Sequence, residues 1–406
     1  MVMITLLLPV GPAAAEYRLH TEVTASEEYN DNIFLTRRDS EFDYITRVVP
    51  SIGITYKAPL WDWDASYAYD YRYYARAAFR QDETHTLSLT NLTRLAKDLL
   101  FLAVRDTYSR VSLDLARDFT KQSLFVNQSD QNILSANPYI TLHPGVRTSV
   151  NVGYIYQNIW YKDPIAIDKI DHITYAEMAH DLSSQLTMTV AARYTQDMNR
   201  IQDYKQGDLS AGMRYEYLDG SILFGSIGNT WLRVAPGETS TQIFWNAGFT
   251  HQFPKFMFHF ETASSNVVDP TRILTREDLF TASITRKVER TSLGITGSLR
   301  EYRNAQTKHL ESSTYSLSGT VSHSITEQSN ILADLTIERL EDNVYDTYSD
   351  LYLSGVRYEY HGWENGTLAF TYRYTNSYSP DVYDPALYNT SNYQNNRIMI
   401  EFTNKF

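Results

Sequence analysis

WDWDASYAYDYRYY, residues 61–74, switches between two chemistries at every step. Trp61, Trp63, Ala65, Tyr67, Tyr69, Tyr71 and Tyr73 share one parity; Asp62, Asp64, Ser66, Ala68, Asp70 and Arg72 share the other. Successive side chains of a strand point to opposite faces, so this segment has one aromatic and one charged face. A helix, with 3.6 residues per turn, would mix the two sets. Alternation of this kind over about ten residues is the pattern of a strand in a membrane barrel, where lipid meets one face and the lumen the other. It returns in Leu209, Ala211, Met213, Tyr215 and Tyr217, in Leu186, Met188, Val190, Ala192 and Tyr194, in Val150, Val152, Tyr154 and Tyr156, and in Leu368, Phe370, Tyr372 and Tyr374.

Connections alternate between tight and extended, as periplasmic turns and extracellular loops do. Tight turns are expected at 58–59, 96–98, 143–145, 183–184, 219–220, 254–255, 289–290, 326–327 and 361–362. Ten longer polar stretches lie between them, from 30–42 to 376–391. The expected fold is therefore all-β: one antiparallel up-and-down barrel of about twenty strands spanning residues 16–406. Counts of 16 or 18 stay open because 87–95, 172–182 and 223–231 alternate poorly. No plug domain fits between the leader and the first strand, and such a barrel implies a wide pore. The loop at 110–131 is long enough to fold inward as a constriction.

Both ends fit an exported barrel. MVMITLLLPV followed by Gly11-Pro12 and Ala13-Ala14-Ala15 has the apolar block and small-residue cleavage site of a signal peptide, 1–15, although a basic start is missing. In NNRIMIEFTNKF the residues Ile398, Ile400, Phe402 and Phe406 share a parity. Such a terminal strand resembles the one that the barrel assembly machinery reads in bacterial outer-membrane proteins.

Composition removes several classes. The 406 residues include 48 acids and 36 bases, a net charge of −12 that disfavours nucleic acid, which needs a basic face. No apolar run reaches the ~18 residues of a spanning helix. Zero cysteines exclude disulfide scaffolds, thiol catalysis and C-x-x-C-H haem attachment. Among the ten histidines, His251, His259, His323 and His361 lie near expected periplasmic ends, yet no G-x-S-x-G or H-E-x-x-H motif accompanies them. No enzymatic activity and no cofactor are expected.

EEYNDNIFLTRRDSEFDYITRVVPSIGITYKA, residues 27–58, orders a strand ending in Tyr29-Asn30-Asp31-Asn32-Ile33-Phe34, a polar loop, Asp43-Tyr44-Ile45-Thr46, and Pro50 opening an alternating strand. This resembles the opening of the outer-membrane β-barrel porin type 2 family, with its exopolysaccharide- and exosortase-associated and porin-cytochrome-type relatives. The rest of the chain is similar only in hairpin rhythm. The resemblance implies a channel in the bacterial outer membrane serving solute passage, polysaccharide export or the sheathing of electron-carrying cytochromes, without choosing among them. Asn30, Asp31 and Asn32 offer oxygens of the kind Ca²⁺ takes. An Asn/Asp cluster more often makes a turn, and no metal is assigned.

With the apolar faces turned to lipid, the lumen receives many charges, which only a wet interior or a polar partner tolerates. The expected pore-lining set is Arg72, Arg105, Arg193, Arg214, Arg300, Arg373, Asp62, Asp64, Asp70 and Glu261. Arg72, Arg105, Arg193, Arg300 and Arg373 are expected in the outer half, where a ring of arginines would favour anions; an internal salt-bridge network is the alternative. The leading function is a porin-like channel for small solutes or exported polysaccharide. The alternative is a scaffold housing a periplasmic or lumenal partner, such as a multihaem cytochrome or a polysaccharide-export component, which would itself carry any redox group.

Overall fold

The computed structural model describes residues 15–76, 81–96, 98–116, 127–235, 237–272, 274–380 and 392–406. The expected leader lies outside them except for Ala15. Twenty strands follow in order: β1 (Glu16–Asn30), β2 (Asp43–Lys57), β3 (Trp61–Tyr74), β4 (Gln81–Ala96), β5 (Leu100–Ser112), β6 (Gln128–Gly145), β7 (Thr148–Tyr161), β8 (Lys169–Asp181), β9 (Leu186–Asn199) and β10 (Tyr204–Leu218). The second half comprises β11 (Ser221–Val234), β12 (Glu238–Gln252), β13 (Met257–Val267), β14 (Thr275–Val288), β15 (Thr291–Asn304), β16 (Leu310–Ser324), β17 (Ser329–Asp342), β18 (Thr347–Tyr360), β19 (Gly366–Tyr378) and β20 (Tyr393–Lys405). Each strand pairs antiparallel with the next, and β1 pairs with β20 from Glu22↔Lys405 to Asn30↔Arg397. The sheet is closed, which leaves no long edge to be satisfied in lipid.

The three segments that alternate poorly are parts of β4, β8 and β11, so the count is twenty rather than 16 or 18. In β11 the parity is blurred because the inner face carries an apolar residue too: Phe224 lies opposite Arg214, on the other face from the exposed Leu223, Ile227 and Trp231. The turn expected at 143–145 falls two residues later, since β6 runs to Gly145. The ladder is irregular between Leu142 and Gly145, and Pro144, which lacks an N–H, sits in that break. At 219–220, Gly220 takes φ 70°, a left-handed value that glycine adopts without strain.

The outer face is an apolar belt. Ile227 and Ile295 stand 62% and 60% exposed, an arrangement that water penalises and acyl chains reward. Aromatic residues border it: Tyr217, Phe249, Phe253, Phe256 and Phe258 gather with His251 near the periplasmic rim, and Tyr29, Phe42 and Tyr44 near the outer rim.

Directly opposed residues of neighbouring strands share a face. One such row runs Arg18, Thr55, Asp64, Thr90, Arg105, Ser135, Gln157, Asp171, Asp197, climbing from the start of β1 to the end of β9. That climb is strand tilt expressed in residues, and it sets the heights of the inner-face charges.

Among the described residues, the clusters of buried apolar side chains lie at the outer mouth. They are Ile33, Ile45 and Tyr74; Leu113, Ile159, Tyr161 and Ala166; and Tyr204, Leu232, Val234 and the loop residue Ala305. Loops there are tied to one another: the Ile167 N–H donates to the Pro270 carbonyl at 2.6 Å, and the Lys169 Nζ to the carbonyls of Asp269 and Arg272 at 3.0 Å each. One seam is thin. The β12–β13 register covers only Trp245–Gln252, and above it Arg276 and Lys308 donate to the carbonyls of Ile243 and Thr241 at 2.9 and 3.2 Å.

Candidate functional site: the lumen and its inward loop

Arginines and aspartates alternate along the outer part of the β2–β7 wall. Arg47 grips Asp70 through two hydrogen bonds of 2.8 Å, and Arg72 bonds the same carboxylate at 2.5 Å and Asp82 at 3.5 Å. Arg110 continues the chain to Asp82 at 3.1 Å and Asp130 at 2.9 Å, where Lys162 joins at 3.3 Å. Forked guanidinium–carboxylate bonds are among the stronger polar contacts, and a chain of them fixes neighbouring strands against one another. Arg72 and Asp70 thus belong to a salt-bridge network.

The remaining expected residues are spread over several heights. Asp62 pairs with Arg94 at 2.6 Å, Asp64 accepts from the Thr55 hydroxyl at 3.1 Å, and Glu261 lies 3.6 Å from His259. Arg105 stands opposite Thr90 and Ser135, Arg193 opposite Tyr175 and Asp208, and Arg214 opposite Thr187 and Phe224. Arg105 and Arg193 come near mid-strand rather than in the outer half, because tilt offsets residues that look equivalent in sequence. No single ring of five arginines forms. Arg300 and Arg373 share one cavity with Arg397.

Arg47, Arg94, Arg110 and Arg357 are charged partners that parity did not reveal. Val48-Val49 hides the phase of β2, and the Leu351 and Leu353 of β18 put apolar residues on the same parity as Arg357. Arg357 pairs with Glu359 at 2.6 Å and Glu401 at 2.7 Å.

The stretch after β5 turns into the barrel. Leu113 is buried against Ile159, Tyr161 and Ala166, and the following residues reach the opposite wall. There the Tyr302 hydroxyl of β15 donates to the Leu115 carbonyl at 3.0 Å, and the Thr314 hydroxyl of β16 to the Ala116 carbonyl at 3.4 Å. In a barrel of twenty strands β5 and β15 face each other, so this segment crosses the lumen and narrows the pore below what the strand count alone implies. The rest of that loop, 117–126, lies outside the described residues. Beneath the crossing lies a cavity of about 350 Å³ against β15–β20. Above it is another of about 440 Å³, reaching Asp269, Arg272 and Tyr345.

Each of the four periplasmic-end histidines bonds a nearby hydroxyl: His251 of β12 to Tyr217 of β10 at 2.8 Å, His259 to Thr250 at 2.9 Å, His323 to Thr291 at 2.8 Å and His361 to Thr367 at 2.9 Å. Asn30-Asp31-Asn32 makes the expected turn, the Asn32 N–H donating to the Asn30 Oδ1 at 3.0 Å, and it is not an open oxygen cage. Asp31 accepts from the backbone and side-chain N–H groups of Asn396 at 2.7 Å each, Asn32 donates to the Gln394 carbonyl at 2.9 Å, and Asn395 donates to the Asn30 side chain at 2.6 Å and the Asn32 carbonyl at 2.9 Å. The motif is a clasp joining the first strand to the last. No cluster of three or more metal-ligating His, Asp or Glu side chains occurs among the described residues.

No protein-family model matches the chain, and no curated protein matches it in sequence. Solved structures do match in fold. The siderophore receptor PirA from Pseudomonas aeruginosa is 11% identical, with 96% of this chain and 80% of that one covered at a TM-score of 0.54. A mutant of the ferric enterobactin receptor PfeA from the same organism is 8% identical, with 96% and 80% covered at 0.53. The FrpB iron transporter from Neisseria meningitidis is 8% identical, with 95% and 82% covered at 0.50. At such identities the likeness is one of fold. A closed antiparallel barrel of this fold with an apolar outer belt belongs to the bacterial outer membrane.

Proposed function

We propose that the chain is a porin-like passive channel for small hydrophilic solutes, narrowed by its own inward loop. The observation that carries this reading is the tether of Leu115 and Ala116 to Tyr302 and Thr314 across a charged, hydroxyl-rich lumen. A strap of this kind turns a wide barrel into a size-selective passage, and the flanking charges set ion preference. The resemblance of residues 27–58 to the porin type 2 family agrees with it. The same strap speaks against the scaffold reading, because a cytochrome sheathed in the barrel needs the space that the loop takes. It also disfavours a thick polysaccharide strand over small solutes. Single-channel recording of the refolded barrel in a planar bilayer tests the proposal: discrete, steady steps in KCl are the expected outcome. Silence from barrels that are folded by circular dichroism would overturn it.

A further inference from the structure

We infer that the cavity beneath the inward loop is a binding subsite for a small hydroxylated monocarboxylate, a sugar acid being the simplest case. The inference rests on the channel reading for its role and on the following geometry for its chemistry. Arg373 of β19 and Arg397 of β20 are directly opposed in register, so two like charges share one face as nearest neighbours. Such an opposition is unfavourable unless each charge finds a counter-ion. Arg397 has one, Glu28 at 3.2 Å, and Arg300 across the cavity lies 3.7 Å from Glu277. Arg373 has no ion-pair partner among the described residues, although Arg47, Arg72, Arg94, Arg110, Arg303 and Arg357 all do.

In the same row of the wall stands an acid, Asp334, two strands away. It leans over Gly355, whose missing side chain makes room: a Cβ there would lie 2.7 Å from the Asp334 Oδ1. Gly355 is opposed to both Asp334 and Arg373, yet no ion pair closes across it. The two charges therefore face a common gap inside a cavity also lined by Ser298, Thr314, Ser316 and Thr336. The complement to that gap is a molecule with a carboxylate for the Arg373 fork and a hydroxyl that donates to Asp334 across Gly355. Asp334 on the lining disfavours a second negative charge, which selects a monoanion.

Equilibrium titration calorimetry on the detergent-purified barrel tests this without requiring conductance. D-glucuronate, glucose and acetate supply the acid with hydroxyls, the hydroxyls alone and the charge alone. Expected is measurable binding of glucuronate, at least about tenfold weaker binding of the other two, and about tenfold loss of glucuronate affinity in Arg373→Gln with partial recovery in Arg373→Lys. Asp334→Asn should reduce the preference for glucuronate over acetate; circular dichroism of each variant checks that it has folded. Equal binding of glucuronate and acetate, or glucuronate binding unchanged in folded Arg373→Gln, overturns the inference, as does no binding of glucuronate. A barrel that binds glucuronate but stays silent in bilayers would sink the channel proposal and keep the subsite.

Discussion

Asp70 is the residue on which the inner electrostatics of one wall turn. Two arginines share its carboxylate, and its side chain is only 12% exposed, so the bonds are sheltered from most of the lumen water. Asp70→Asn removes the charge and leaves Arg47 and Arg72 facing the pore. Breaking a well-buried pair costs about 3–5 kcal/mol; with this partial hydration about 2 kcal/mol is expected, read as a lower unfolding midpoint in urea. The same variant should move the reversal potential in a salt gradient toward anion selectivity, because one carboxylate charge is lost while Arg47 and Arg72 stay positive. An unshifted potential would mean that the network is electrically remote from the permeation path. The positions of Asp70 and Arg72 were legible from the alternation of Trp61–Tyr74. Arg47 and Arg110 were not, because parity assigns a face only where apolar and polar residues strictly alternate.

At the scale of the element, the strands announce themselves and the loops do not. Period-two alternation follows from a belt that is apolar outside and wet inside, and it needs no knowledge of contacts. The inward segment after β5 is different. Its direction is fixed by carbonyls of Leu115 and Ala116 finding hydroxyls on β15 and β16, 187 and 198 residues further along the chain. Sequence length alone could say only that such a crossing was possible. The double variant Tyr302→Phe, Thr314→Val removes both donors at nearly constant volume. Each neutral hydrogen bond is worth about 1 kcal/mol, so the crossing should lose roughly tenfold in occupancy or more. Larger and noisier conductance steps are the expected reading; steps identical to those of the parent would place the constriction elsewhere.

For the molecule as a whole, closure is the act that makes a sheet into a passage, and the clasp of Asn30, Asp31 and Asn32 on Gln394, Asn395 and Asn396 guards it. Bonds between Asn30 and Asn395 span 365 residues, close to the full length of the chain. A loop of that length costs on the order of 5 kcal/mol in closure entropy before any constant term, so these contacts form late, once the other nineteen interfaces already hold the ends near each other. Contacts made after the rate-limiting step slow opening without speeding assembly. Asn395→Ala should therefore leave the folding rate almost untouched while costing about 2 kcal/mol, an unfolding rate raised roughly thirtyfold. Folding and unfolding limbs measured in urea would separate these, and a slowed folding limb would place the clasp in the nucleus instead. A short polar motif near the first strand thus acts as a timer, setting how long a finished barrel stays finished in a membrane where nothing replaces it quickly.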